Sequence, residues 1–162
     1  MLKDYLFQDF KLKQDTVFDL GELYKLLFRW FEVNGYVFQE KEYHDYDEPG
    51  GKHIEIFWAG EKIIDKYVKF VIEVNYFVLG LTKVELEKGG VKLKTNKGTA
   101  EFRISAYLAK DYKGDWGKMP MMLYIYDRFI ARHRIDRLEG EILKETNSCI
   151  DEIKAFMDIH RF

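Results

Sequence analysis

Two histidines and four carboxylates crowd one short stretch of the chain: His44, Asp45, Asp47, Glu48, His53 and Glu55. Imidazole and carboxylate together suit zinc or a non-haem iron, and a hairpin brings residues on either side of its turn within about 5 Å. Register decides whether they meet. With Tyr46 opposite Lys52, residues Asp45, His53 and Glu55 share one face and His44 joins Ile54 on the other. The histidines are then split, and no further His or Cys stands nearby in sequence to complete three ligands. The stretch therefore reads as a solvated polar hairpin without a metal. His44, His53 and Glu55 are the residues on which a metal would fall.

Four arginines sit in the run Arg128-Phe129-Ile130-Ala131-Arg132-His133-Arg134-Ile135-Asp136-Arg137. On a helix, Arg128 and Arg132 are neighbours one turn apart, as are Arg134 and Arg137, and guanidinium forks bind phosphate bidentately. Asp127, Asp136, Glu139 and Glu141 lie within a turn of them, so the run reads as a self-neutralising surface. Arg128, Arg132, Arg134 and Arg137 are its candidate phosphate or RNA contacts. A second basic group, Lys83, Lys88, Lys92, Lys94 and Lys97 with Arg103, falls on strand-like text. In Val91-Lys92-Leu93-Lys94 the lysines alternate with apolar residues and line one wet face, the pattern of gatekeepers against edge pairing. Lys92, Lys94 and Lys97 are also candidates for contact with single-stranded nucleic acid, although the aromatic and glycine signature of RNA-recognition strands is missing.

The motifs that usually carry catalysis are not present: no phosphate loop, no dinucleotide-binding glycine turn, no Gly-x-Ser-x-Gly elbow, no Cys-x-x-Cys and no His-Glu-x-x-His. The two serines, Ser105 and Ser148, have no visible His/Asp context. The single cysteine, Cys149, shares helical spacing with Ile142, Ile153 and Phe156 and reads as a small buried apolar residue. No catalytic residue and no cofactor is expected.

The elements that position these groups follow from periodicity. From Asp15, Leu20, Leu23, Leu27, Trp30 and Phe31 form an amphipathic stripe, with Asp15 or Thr16 as cap and Asn34-Gly35 as a left-handed stop. From Tyr36 to Lys110 the period becomes two, giving strand candidates at 36–46, 53–58, 66–79, 83–87, 91–95 and 99–110. The glycine-bearing stretches between them are read as turns, and such short connections force antiparallel neighbours. The apolar run 70–79 is the central strand. In the last strand Phe102, Ile104, Ala106 and Leu108 point to the core, opposite Glu101, Arg103, Ser105 and Tyr107. After a turn anchored by Trp116, Pro120 opens a helical segment with one stripe at Met122, Ile125, Tyr126, Phe129 and Ile130. A second stripe runs through Leu138, Ile142, Cys149, Ile153 and Phe156. Gly140 and 145–148 are the candidate interruptions between one helix and two.

The expected architecture is an α+β fold: an N-terminal helix, a five- or six-stranded antiparallel meander, and one or two C-terminal helices packed on the sheet. It would be a single domain over 1–162, with 1–14 as an N-terminal arm. With 47% hydrophobic and 33% charged residues among 162, the chain can bury a sizeable core without metal or disulfide staples. The net charge of −2 marks no global preference for nucleic acid or anionic membrane. No apolar run is long enough for a spanning helix, and a cytoplasmic protein is expected.

The stretches Gly51-Lys52-His53-Ile54-Glu55-Ile56, Phe70 to Leu81 and Lys94-Thr95-Asn96-Lys97-Gly98 resemble uncharacterised archaeal proteins over roughly residues 20–160. The resemblance implies an archaeal cytosol and carries no activity. In outline the meander closed by a C-terminal helix is also similar to helix-grip ligand-binding domains, except that the first helix here is expected to precede every strand.

These features together point to a non-catalytic binding or assembly module with a protein or ribonucleoprotein partner, or a second copy of itself. The alternative is a domain that holds a small apolar ligand between sheet and helix, lined by Tyr36, Phe38, Trp58, Tyr76, Phe77 and Tyr107. Aromatic residues make up 17% of the chain. Those the core does not obviously claim, Tyr5, Phe7, Phe10, Tyr107 and Tyr112, are the expected contact surface.

Overall fold

The alternation of residues 36–110 produces long strands. In the computed structural model, which describes residues 1–18, 20–115 and 119–159, the order is β1 (Leu2–Phe18), α1 (Leu20–Val33), β2 (Val37–Glu48), β3 (Gly51–Ile63), β4 (Val68–Lys88) and β5 (Val91–Lys110). There follow α2 (Pro120–Ile125), a π-helical turn (Tyr126–Ile130) and α3 (Arg132–Ile159). Every strand pair is antiparallel, and the sheet order is β1-β5-β4-β3-β2. The fold is thus α+β, with C-terminal helices on an antiparallel sheet.

The chain begins with a strand, which corrects the expectation of a helix first and an arm over 1–14. β1 pairs with β5 from Leu2/Lys110 to Phe18/Asn96. Asp15, expected to cap the helix, lies in this strand and accepts a hydrogen bond from the Thr99 hydroxyl at 2.7 Å. The expected helix stop is present: Gly35 has φ +83°, and Tyr36 N–H reaches Phe31 C=O at 2.8 Å.

Four expected strands merge into two because Gly80 and Gly98, read as turns, lie inside strands, and Gly60, read likewise, lies inside a lengthened β3. Gly60 is in β3, where an added Cβ would sit 2.3 Å from the Phe31 ring, so its lack of a side chain is what lets α1 lie on the sheet. Gly80, at φ +65°, sits within the register shift of β4 between Leu79 and Thr82. Gly98 lies within β5. The true hairpin turns are Pro49-Gly50 and Gly89-Gly90. At the β3–β4 connection the Asp65 carboxylate accepts from the N–H groups of Tyr67 and Val68, at 2.6 and 2.9 Å.

Both long helices cover the same face. Leu23, Leu27, Trp30 and Phe31 of α1 join Ile135, Leu138, Ile142, Cys149 and Ile153 of α3 in one core with Trp58, Tyr76, Phe102 and Ile104 of the sheet. The rings of Trp58 and Tyr76 stack at 5.8 Å, and Tyr76 meets Phe102 at 4.5 Å. Polar clips close the top of this core. Tyr36 donates to Glu145 at 2.5 Å, Lys62 reaches the same carboxylate at 2.9 Å, and Trp30 donates to Ser148 at 3.3 Å. The central strand β4 is helix-covered on this face only.

The C-terminal region is one short and one long helix joined by the π-helical turn. Gly140 and 145–148, expected as interruptions, lie inside continuous α3. Trp116 is outside the described residues. Among the described residues no helix is long and apolar enough to cross a membrane.

Two predictions follow from this packing. Gly60→Ala drives a methyl into Phe31 and should cost about 2 kcal/mol in urea unfolding, whereas Gly50→Ala, with open space around it, should be near neutral. Burial lifts the Cys149 thiol from 9.0 to about 12 and pushes the Tyr36 and Tyr76 phenols up as well. Raised folded values mean the stabilisation is complete below the unfolded values and is lost as pH rises through the folded ones. The urea midpoint should therefore fall above about pH 9.

Candidate binding surfaces

The sheet face opposite the helices carries the hairpin histidines. The observed register sets Tyr46 opposite His53 and His44 opposite Glu55, one step from the expected pairing. Both histidines therefore share one face, which corrects the expected split. Each nonetheless closes onto a carboxylate of its own strand: His44 Nε2 lies 3.0 Å from Glu42 and His53 Nε2 2.9 Å from Glu55. Tyr46 sits between the two imidazoles, its ring 6.2 Å from His44 and 5.8 Å from His53. Among the described residues, no group of three His, Cys, Asp or Glu is arranged to hold a metal ion.

The same face continues across the sheet as a self-paired layer. Phe57 packs edge-on against Phe77 at 5.8 Å, Arg103 lies over Phe77 at 5.3 Å, and Glu101 draws Lys11 to 3.2 Å. Tyr107 donates to Glu73 at 3.3 Å, and burial, reinforced by that carboxylate, pushes the phenol's pKa up. Val71, Tyr107 and Ala109 form a small second core under Tyr112, whose hydroxyl donates to Asp65 C=O at 2.6 Å. Of the five aromatics expected as a contact surface, Tyr107 is buried and Tyr112 half-buried. Phe7 and Phe10 pack against the main core across the bulged part of β1. Tyr5, its ring tilted against Tyr107 at 5.0 Å, is the exposed one. The residues expected to line a cup are likewise divided: Tyr36, Phe38, Trp58 and Tyr76 lie on the helix-covered side, Phe77 and Tyr107 on the other.

At one end the sheet narrows to a two-stranded arm. β3 accompanies β4 as far as Leu81, and β1 accompanies β5 as far as Asn96. Beyond them β4 and β5 pair only with each other, from Val84/Thr95 to Lys88/Val91. Glu85 stands opposite Lys94 and Glu87 opposite Lys92, so these lysines have acidic partners across the ladder. Lys97 falls on the other face, in a depression of about 420 Å³ with Asp15, Leu79, Thr82, Val84 and Thr99. The expected single basic face is therefore divided. On the arm's other side Val91 and Leu93 are 58% and 50% exposed.

The opposite end holds the arginines. Arg134 is paired with Asp65. Arg128 and Arg132 line a pocket of about 200 Å³ with Asp4, Lys110, Asp127, Ile135, Asp136 and Glu139, while Arg137 is exposed on α3. At the pocket's base the Lys110 side chain, 3% exposed, bridges Asp4 at 2.5 Å and Asp127 at 2.7 Å. Burial opposes its charge, but hydrogen bonds to Asp127 and Asp4 outweigh burial and raise its pKa. Tyr67 donates to the same Asp127 at 3.4 Å. Desolvation, then Asp4 and Asp136, raise the Glu139 carboxyl. Charges of both signs saturate this pocket, so it is a latch joining β1, β5 and the π-helical turn.

No protein-family model, curated protein or solved structure matches this chain. Two features escaped the sequence reading. Lys110 was seen only as a strand end, and its partners lie 106 residues upstream and 17 downstream. The stripe Met122, Ile125, Tyr126, Phe129 and Ile130 implies one apolar helix face, yet all of these but Tyr126 are exposed.

Replacing Lys110 by Met leaves Asp4 and Asp127 facing each other without a cation. The variant should lose about 3 kcal/mol in urea unfolding at neutral pH, and adding Asp127→Asn should restore part of it. A raised lysine pKa stabilises below its unfolded value and ceases to do so as pH climbs through the folded one, so the difference between wild type and variant should shrink in strong alkali.

Proposed function

We propose that this protein is a non-catalytic binding or assembly module whose partner is a protein. The observation that carries this is the β4–β5 arm. A two-stranded ribbon in water is marginally stable at best, and among the described residues this one has neither a third strand nor a covering helix over residues 84–95. It keeps Val91 and Leu93 in solvent on one side. A partner that covers that side would supply the burial the arm lacks.

The charge pattern favours protein over nucleic acid as the arm's partner. Lys92 and Lys94 face Glu87 and Glu85 across the ladder, which offsets the positive field a phosphate backbone would meet. An interior apolar ligand has less support, because Trp58, Tyr76 and Phe102 already stack on one another in the space it would need.

The test is an arm-shortened variant in which Asn-Gly joins Lys83 to Asn96, used beside wild type to isolate cross-linked partners from the native host. The variant should keep the wild-type unfolding midpoint and lose at least one nuclease-resistant protein partner. An unchanged set of retained proteins would refute the role of the arm, and retention that nuclease abolishes would replace protein by RNA.

A further inference from the structure

The segment that opens the C-terminal region is apolar where it meets solvent. Met119, Met121, Met122 and Tyr124 are 58%, 75%, 54% and 61% exposed, and Phe129 and Ile130 are 73% and 70% exposed. Ile125 adds a further 44%. Clusters of this kind on a soluble surface mark a place where another apolar phase is met. From Pro120 to Tyr126 there is no charged residue.

α2 buries only Leu123, and the π-helical turn extends the exposure to Ile130. A 3.6-residue period continues one stripe through Met122, Ile125, Tyr126, Phe129 and Ile130. In the structure the buried frame runs through Leu123, Ala131, Ile135 and Leu138, with Tyr126 partly buried against it. Ala131 N–H bonds Tyr126 C=O at 2.9 Å, a five-residue step that shifts the frame between α2 and α3. Asp127, one turn beyond Leu123, faces inward onto Lys110, and the shift leaves Ile130, seven residues beyond Leu123, outside beside Phe129.

Among the fully exposed charges of the rim the cations outnumber the acids: Arg128, Arg132 and Arg137 are exposed beside the patch with Asp136 between them, while Asp4, Asp127 and Glu139 are half-buried in the pocket below, around Lys110. A second copy packed symmetrically on this patch would set arginines against arginines. RNA gains little from methionine and isoleucine, which offer no ring for base stacking. At 100° per residue the exposed apolar positions of α2, Met121, Met122, Tyr124 and Ile125, span roughly 160° of its circumference, against the narrower stripe that a partner helix reads. A wide apolar arc with cationic flanks and an interfacial tyrosine fits shallow immersion in a fluid phase.

We propose that the α2–π segment seats this protein on an anionic lipid surface. Met121, Met122, Phe129 and Ile130 enter the boundary between headgroups and acyl chains, and Arg128, Arg132 and Arg137 lie on the phosphates. The arm is at the other end of the sheet, so this inference stands independently of the protein partner proposed above.

Co-sedimentation with extruded vesicles tests it, using pure phosphatidylcholine and phosphatidylcholine with roughly a quarter phosphatidylserine. Wild-type protein should pellet with the anionic vesicles about tenfold more strongly than with the neutral ones, and salt should weaken the binding. Met121→Asp with Phe129→Asp should abolish pelleting without moving the unfolding midpoint, since both side chains are mostly in solvent. Arg128→Gln, Arg132→Gln and Arg137→Gln together should remove the preference for anionic vesicles, and the arm-shortened variant should pellet like wild type. The proposal is overturned if wild type pellets with neither vesicle, or if neither set of substitutions changes pelleting. It is also overturned if the aspartate variant converts a dimer to a monomer in light scattering, which would make the patch a self-association surface.

Discussion

The pairing of β4 with β5 is the constraint on which everything else in this molecule rests. The two strands run together from Val68/Lys110 to Lys88/Val91, longer than any neighbour they acquire. β3 and β1 are added on either side, β2 closes one edge, and the unaccompanied remainder becomes the arm. A ribbon of this length has a strong right-handed twist, and register shifts at Gly80 and in β1 bend the sheet where its neighbours end or slip. The arm is thus a consequence of how far the central pair outruns the strands that flank it.

Covering one face only is the second constraint. α1 and α3 both lie on the side of Ile56, Val74, Phe102 and Ile104, and their close approach depends on Gly60 leaving room for Phe31. The other face must then satisfy itself in water. It does so with short-range pairs: His53 on Glu55, Arg103 over Phe77, Tyr107 on Glu73 and Lys3 over the Tyr107 ring at 4.7 Å. Residues that looked like functional groups in the sequence are consumed in this layer. The histidines are held by neighbouring carboxylates, and Tyr107 is packed under Tyr5.

Alternation and turn chemistry made the antiparallel sheet, its central strand and the core face of β5 legible, because those signals are local. The glycines misled for the same reason. Gly60 and Gly98 have the composition of turns, yet each is a glycine because something packs where a Cβ would go, and that neighbour lies far away in sequence. The strand character of residues 2–18 was obscured by the bulge between Tyr5 and Phe10, which breaks the period of two. The hairpin register was off by one residue, and a slip of one exchanges the faces, which is why the histidines appeared split. The Lys110 latch was invisible because its three members are contributed by β1, β5 and the π-helical turn.

The π-helical turn shows why the most informative surface was also the least readable. An extra residue in a helix costs little locally, and no residue type announces it, yet it rotates all that follows by about 100°. Asp127 provides a reason for the turn to persist, since its carboxylate satisfies a lysine buried at the end of β5. Seven residues beyond the buried Leu123, Ile130 would face the core in an unbroken helix, and the frame shift leaves it in solvent while Asp127, one turn beyond Leu123, keeps its place on Lys110. A buried charge that needs a partner is a strong constraint on backbone geometry, and here it fixes the turn beside which Phe129 and Ile130 stand in solvent.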